Sequence, residues 1–452
     1  MNRDVFEKYP IPKAVMTLAL PTMLSMLVTI FYNMADTFFV GQTNDANQVA
    51  AVSLTTPVFL IFMAVGNMFG IGGSTMISRL LGQGNNEKPK NVSAFCFYGC
   101  IISGFVLSLI YLIFMPQILS IIGTSENTYE FSREYLTYIA YGGIFVVLSN
   151  AMGNIVRSEG AAKISMAGMM IGTVANIVLD PVMILALDMG VAGAAIATII
   201  GNILSVVFYL GYIIRNKEKT VLSFMPSDVR ISGIIGGVLS IGLPASLNNI
   251  LMSCSNILLN VFLSDYGDVP VAAMGVAMKA NMLVVMLQLG LAMGMQPLAG
   301  YCYGAANYSK LKSVMKFSAL CNFIIGSCMT AIYIFASRPI VGIFIDDAEV
   351  IRNGITMLNA LMISGPLIGI MFVFSFTFQA MGKAIPSLIL SVSRQGFVFL
   401  PVLIVGNMLF GLEGLIYAQP CADIASLLIA LTMFMIINNR SFKNEEKEAV
   451  KA

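Results

Sequence analysis

Apolar runs of about 20 residues recur from one end of this chain to the other, each long enough to cross the hydrocarbon core of a bilayer as a helix. In that medium every backbone polar group must find its partner within the chain, which confines the fold to a bundle of spanning helices. Twelve spans are expected, at roughly 14–40, 50–78, 92–115, 135–156, 164–187, 191–214, 235–263, 271–300, 315–336, 354–380, 386–409 and 413–437. Charge supports the same class. Only 11% of the residues are charged, against roughly 25% in soluble domains, too few to coat a water-exposed globule. The expected fold is an all-α polytopic membrane protein.

Basic residues orient it. Twenty lie at the N-terminus, in the loops after even-numbered helices and at the C-terminus; only Arg133, Arg338 and Arg352 lie in the opposite loops. The asymmetry places both termini in the cytoplasm. The N-terminus shows no short apolar stretch followed by a small-residue cleavage site, so the first helix is expected to direct insertion.

The two halves repeat. Val49-Ala50-Ala51 recurs as Val271-Ala272-Ala273, 222 positions on, and Gly72, Gly82, Asn85 and Lys88 recur at the same shift as Gly294, Gly304, Asn307 and Lys310. Leu20-Pro21 recurs as Leu243-Pro244 at 223, and Gly190 and Gly193 as Gly411 and Gly414 at 221. Six helices per half make the copies parallel, related by an axis along the membrane normal, as in one class of transporters. The expected division is a first lobe at 1–214, a cytoplasmic linker at 215–234, a second lobe at 235–437 and a charged tail at 438–452. Two such lobes enclose a cleft that rocking can open to each side in turn.

Two carboxylates stand inside the apolar runs. Asp36 lies in TIFYNMADTFFV (29–40) and Asp180 in ANIVLDPVMILAL (175–187). An acid within a spanning helix is costly enough to mark a functional site. Asn176 is one helical turn before Asp180 and Thr173 a further three residues back, on one face. Pro181 frees a carbonyl one turn earlier. Helix 6 carries Thr198 about two turns in from the outer surface, and helix 1 places Asp36 about one turn below it. The expected cation-coupling set is Asp36, Asn176, Asp180 and Thr198. Oxygen donors without sulfur or imidazole suit a proton or Na⁺ better than a transition metal. A second reading stays open for Asp36, as a carboxylate solvated at the outer interface.

Pro21 inside helix 1 is expected to bend it, as a moving part or as a fixed packing kink. Asn33, Asn256, Lys279 and Gln379 are candidate cleft-lining groups, and Lys279 and Arg394 also read as snorkelling or paired with an acid. For Asp423 helix packing with a local partner is expected. The 32 methionines suit a cleft for varied apolar ligands, and equally plain membrane packing. With no histidine, the commonest neutral-pH proton carrier is missing. Seven cysteines without a CxxC read as packing thiols. No nucleophile–base motif points to an enzyme, no cofactor is expected beyond the coupling ion, and no basic cluster points to nucleic acid.

The chain resembles the multidrug and toxic compound extrusion (MATE) family, in its MepA-like branch. The resemblance rests on Leu20-Pro21, Asn33-Met34-Ala35-Asp36, Phe39-Val40-Gly41, Ser78–Asn85 (SRLLGQGN), Arg157–Gly160 (RSEG), Ala175–Pro181 and Gly190–Ala194 (GVAGA), with Gly304–Asn307 in the second half. It implies twelve helices in two lobes and antiport of amphipathic, mainly cationic drugs against Na⁺ or H⁺ across the bacterial cytoplasmic membrane. It assigns the first-lobe cation site to Asp36, Asn176, Asp180 and Thr198 and the bending helix to Pro21. The protein is expected to function as a monomer. The acids that one branch of the family carries in helices 7 and 10 are missing here, which concentrates coupling on the first lobe. The alternative is a flippase for lipid-linked sugars, whose anionic cargo would call on Lys279 and Arg394.

Overall fold

A computed structural model describes residues 3–43 and 45–438, so nearly all of the charged tail lies outside the described residues. All regular structure among them is helical. The long helices are α1 (Ile11–Gly41), α2 (Ala46–Gly82), α3 (Lys88–Ile113), α4 (Glu126–Ser158), α5 (Ala162–Asp180) and α6 (Gly190–Arg215). The second half supplies α7 (Ile235–Ser264), α8 (Asp268–Gly304), α9 (Tyr308–Phe335), α10 (Ala348–Met362, then Gly365–Ala380), α11 (Ala384–Phe410) and α12 (Leu412–Ile437). Eleven are long and apolar enough to span a bilayer, and twelve if the two parts of α10, bent by 46°, form one span. Large apolar side chains such as Ile102, Val207 and Ile257 are more than half exposed, as on helices set in lipid.

Departures from the expected spans have local causes. α4 begins at Glu126, ahead of its apolar run, because Ser125 starts it: the Ser125 backbone N–H donates to Thr128 Oγ1 at 2.9 Å. α10 breaks instead of running through 354–380, since Gly365-Pro366 opens a new helix and proline cannot extend the old one. α5 does not remain α-helical to its end. From Pro181 the chain winds as a π-helix, Pro181–Ala186, the form in which a helix absorbs a local break in its ladder.

The chain divides into two compact units, Met1–Lys8 with Leu24–Ser246, and Tyr9–Met23 with Leu247–Ala452. The expected lobes met at 215–234. The units instead exchange the leading parts of α1 and α7. Each exchange point falls just after a proline inside a continuous helix, Pro21 in α1 and Pro244 in α7. Close backbone approach seats the exchanged segments. In the second unit a Cβ at Gly290 would lie 2.7 Å from Met23 Cα; in the first, Gly242 packs against the Met68 carbonyl.

The stretch 215–234 lies wholly within the first unit, as a docked strap. Glu159, fully buried at the end of α4, accepts from Tyr212 and Thr220 hydroxyls at 2.7 Å each and from the Val221 N–H at 3.3 Å. Ser93 Oγ accepts from the Ser223 N–H at 2.8 Å, and Tyr98 donates to the Phe224 carbonyl at 3.2 Å.

Candidate functional site

The site grows from the crossing of α5 and α6. Tyr209 donates to the Ser165 carbonyl at 2.8 Å and Ser205 to the Gly168 carbonyl at 2.9 Å. Beyond them Gly172 meets Gly201, where a Cβ on Gly201 would lie 2.6 Å from the Gly172 carbonyl oxygen. Only side-chain-free residues allow that approach, and it brings the next pair, Asn176 and Thr198, within hydrogen-bonding reach.

Asp180 is 0% exposed, Asn176 2% and Thr198 4%. With the amide turned to satisfy both neighbours, Asn176 Nδ2 donates to Asp180 Oδ2 at 2.9 Å. Its Oδ1 then accepts from the Thr198 backbone N–H at 3.0 Å and hydroxyl at 3.3 Å. Three of the four expected coupling residues thus form one buried chain of oxygen and nitrogen groups. Pro181 sets where α5 changes form, immediately after the carboxylate, so Asp180 stands at the junction of α-helix and π-helix.

The fourth residue, Asp36, has its backbone in α1, as does Asn33; the side chains of both lie outside the described residues. Tyr32, one turn before Asp36, has its hydroxyl 3.4 Å from Thr198 Oγ1, which ties α1 to the α5–α6 pair. Tyr32 was not foreseen, though a hydroxyl one turn from an intramembrane acid was the available signal. Asn202 was also missed. It donates to the Thr198 carbonyl at 2.8 Å and accepts from Ser149 of α4. Thr173 is partly buried on α5, one turn before Asn176.

In the second unit Gln379 is buried and accepts from Gln296 at 3.1 Å. Asn256 is partly buried and Lys279 exposed. A separate buried charge pair lies there. Arg394, in the π stretch Ser393–Phe397 of α11, places Nε 2.8 Å from Asp423 Oδ1 of α12. Ser364, at the break in α10, donates to Asp423 Oδ2 at 2.8 Å, and Gln419 donates to Oδ1 at 2.9 Å. The guanidinium also stands 5.2 Å from the Phe372 ring centre.

Known proteins resemble this chain in sequence and in fold. The MatE family model matches twice, over residues 21–182 and 244–405, so the repeat read in the sequence is the family's own duplicated domain. The "Multidrug export protein MepA" of Staphylococcus aureus (strain MSSA476) is 34% identical over 436 residues, covering 96% of each chain. A solved structure described as the outward-facing conformation of a multidrug resistance MATE family transporter superposes with a TM-score of 0.90 at 26% identity, over 96% of this chain and 98% of that one. A MATE crystal structure in the bent conformation gives 0.90 at 26% identity, over 100% and 99%. The protein is therefore a multi-pass membrane transporter and not an enzyme, and the chain belongs to the MATE family.

Proposed function

We propose that this transporter exports amphipathic, mainly cationic compounds across the bacterial cytoplasmic membrane in exchange for Na⁺ or H⁺, with both termini inside. One observation carries the coupling: a carboxylate with no solvent exposure, Asp180, joined to Asn176 and through it to Thr198 within membrane-spanning helices. A carboxylate within a spanning helix is costly enough to mark a functional site, and on this reading a proton or a hard cation from outside takes part in neutralising it. Asp36, on the helix that Tyr32 ties to Thr198, is the second acid of the proposed set. The export activity named for the S. aureus relative at 34% identity supports the cargo.

The chemistry of the amide makes a conformational link. Asn176 presents its nitrogen to Asp180. Na⁺ held by both the carboxylate and the amide oxygen requires the amide to turn over, which removes the Asn176 oxygen from the Thr198 N–H. A protonated Asp180 can donate only to the amide oxygen, since the amide nitrogen cannot accept, so a proton placed in that bond also requires the amide to turn over. Either event rearranges the α5–α6 pair and reaches α1 through Tyr32. Such an ion shifts the balance between inward- and outward-open states only by binding one of them better. On this reading the ion favours the state that releases drug outward, and drug bound from inside favours loss of the ion.

The flippase alternative needs free cationic groups for a pyrophosphate. Arg394 is neutralised by Asp423, which leaves Lys279 and favours the antiporter. The test is efflux of a fluorescent organic cation from proteoliposomes, with Na⁺ and pH gradients imposed separately. Wild type is expected to respond to at least one gradient, and Asp36→Asn and Asp180→Asn to lose the response. Wild-type rates in both variants would remove the site assignment.

A further inference from the structure

A cavity of about 470 Å³ lies at the end of the first unit where α1 passes to α2 and α5 passes to α6. Phe131, Glu134 and Tyr138 of α4 line one side. Spaced by three and four, they share one helix face, an aromatic–carboxylate–aromatic stripe. Asp188 also lines it, in the turn after the π-helix and in the left-handed region at φ 51°. Gln48 also lines the cavity; its Oε1 is buried and has no hydrogen-bond partner among the described residues. Ile184, 1% exposed, belongs both to the wall and to the π-helix that starts one residue after Asp180.

We propose that this cavity is a binding site for organic monocations with an aromatic or quaternary centre, distinct from the Asp180 site. Three features fit that class together. Two aromatic residues, Phe131 and Tyr138, line it, and aromatic rings attract a weakly hydrated cation. Two exposed carboxylates in the lining, Glu134 and Asp188, raise its local concentration. The volume matches a drug-sized ligand. A small inorganic cation, strongly hydrated, gains little from aromatic walls. The proposal rests on the export reading for its direction: with both termini inside, this end faces outward, and the cavity is the last station of the cargo before it leaves.

The test is equilibrium binding of radiolabelled tetraphenylphosphonium to the full chain in nanodiscs. E134Q/D188N is expected to weaken one binding component by about tenfold, as two screened charges at close range would. F131L/Y138L, with both acids kept, is expected to weaken the same component about threefold or more. D180N is expected to leave that component in place. Unchanged binding in E134Q/D188N overturns the proposal. So does loss in E134Q/D188N without loss in F131L/Y138L, which is the signature of charge attraction alone. Photocrosslinking of wild type with an aryl-azide quaternary ammonium covers the case of a misfolded variant: label within 131–138 and 184–192 supports the site, and label elsewhere alone overturns it. Efflux by wild type, measured separately, reports on the export reading.

Discussion

At Asn176 one side chain does two jobs, donating to a carboxylate and accepting from the helix opposite. Asn176→Leu keeps the volume and removes all three hydrogen bonds. It is expected to weaken coupling-cation binding by about 10–100-fold, the usual effect of losing a group that orients a ligand; isothermal titration with Na⁺ and proton-release measurements check this. Asp423 offers a contrast. Its carboxylate neutralises Arg394 and accepts from Ser364 and Gln419. Asp423→Ala leaves a buried guanidinium unmatched and is expected to destabilise by about 3–5 kcal/mol, whereas Arg394→Met with Asp423→Leu stays near wild type. Thermal unfolding in detergent separates the outcomes, and a double variant as unstable as Asp423→Ala would contradict the pairing. The pairing of Asn176 with Asp180 was legible because helical periodicity puts residues four apart on one face; Thr198, on another helix, entered by its expected depth and by the family resemblance. The partnership of Arg394 with Asp423 was not legible, because it joins residues 29 positions apart on two helices and no local pattern reports which acid a buried base will meet.

Elements show a similar division. The positions of the spans follow from apolar run length, so the twelve were recoverable to within a few residues except where polar residues extend the starts of α4 and α9 or proline restarts α10. The π-helix after Pro181 was less legible. Proline announces a break, but whether the chain kinks, stops or rewinds depends on what receives the freed groups. The docking of the strap was illegible for a different reason. Its polar composition reads as a linker between halves, while its anchor, Glu159, sits on another element 61 residues before Thr220. Glu159→Ala deletes hydrogen bonds to a charged acceptor, each worth roughly 1.5–3 kcal/mol. Limited proteolysis is expected to cut 216–230 at least about tenfold faster in that variant, while the spans stay protected. An unchanged cleavage rate would show that Ser93 and Tyr98 hold the strap without it.

For the whole molecule, duplication was the plainest message of the sequence, and the twofold match of the family model agrees with it. The exchange of the leading parts of α1 and α7 was hidden, since a repeat in sequence says which segments are alike and not which of them pack together. The exchange bears on assembly. A chain cut within 225–230 yields two six-helix fragments that look self-sufficient by sequence, yet each carries a segment that completes the other's unit and lacks one of its own. Neither fragment made alone is expected to resist protease, while the two made together are expected to recover a stable, copurifying pair. Stable folding of either fragment by itself would argue against the exchange. If neither fragment folds alone, the two copies of the duplicated segment are mutually dependent, and the half is not a unit of inheritance that can be lost, shuffled or expressed without its twin.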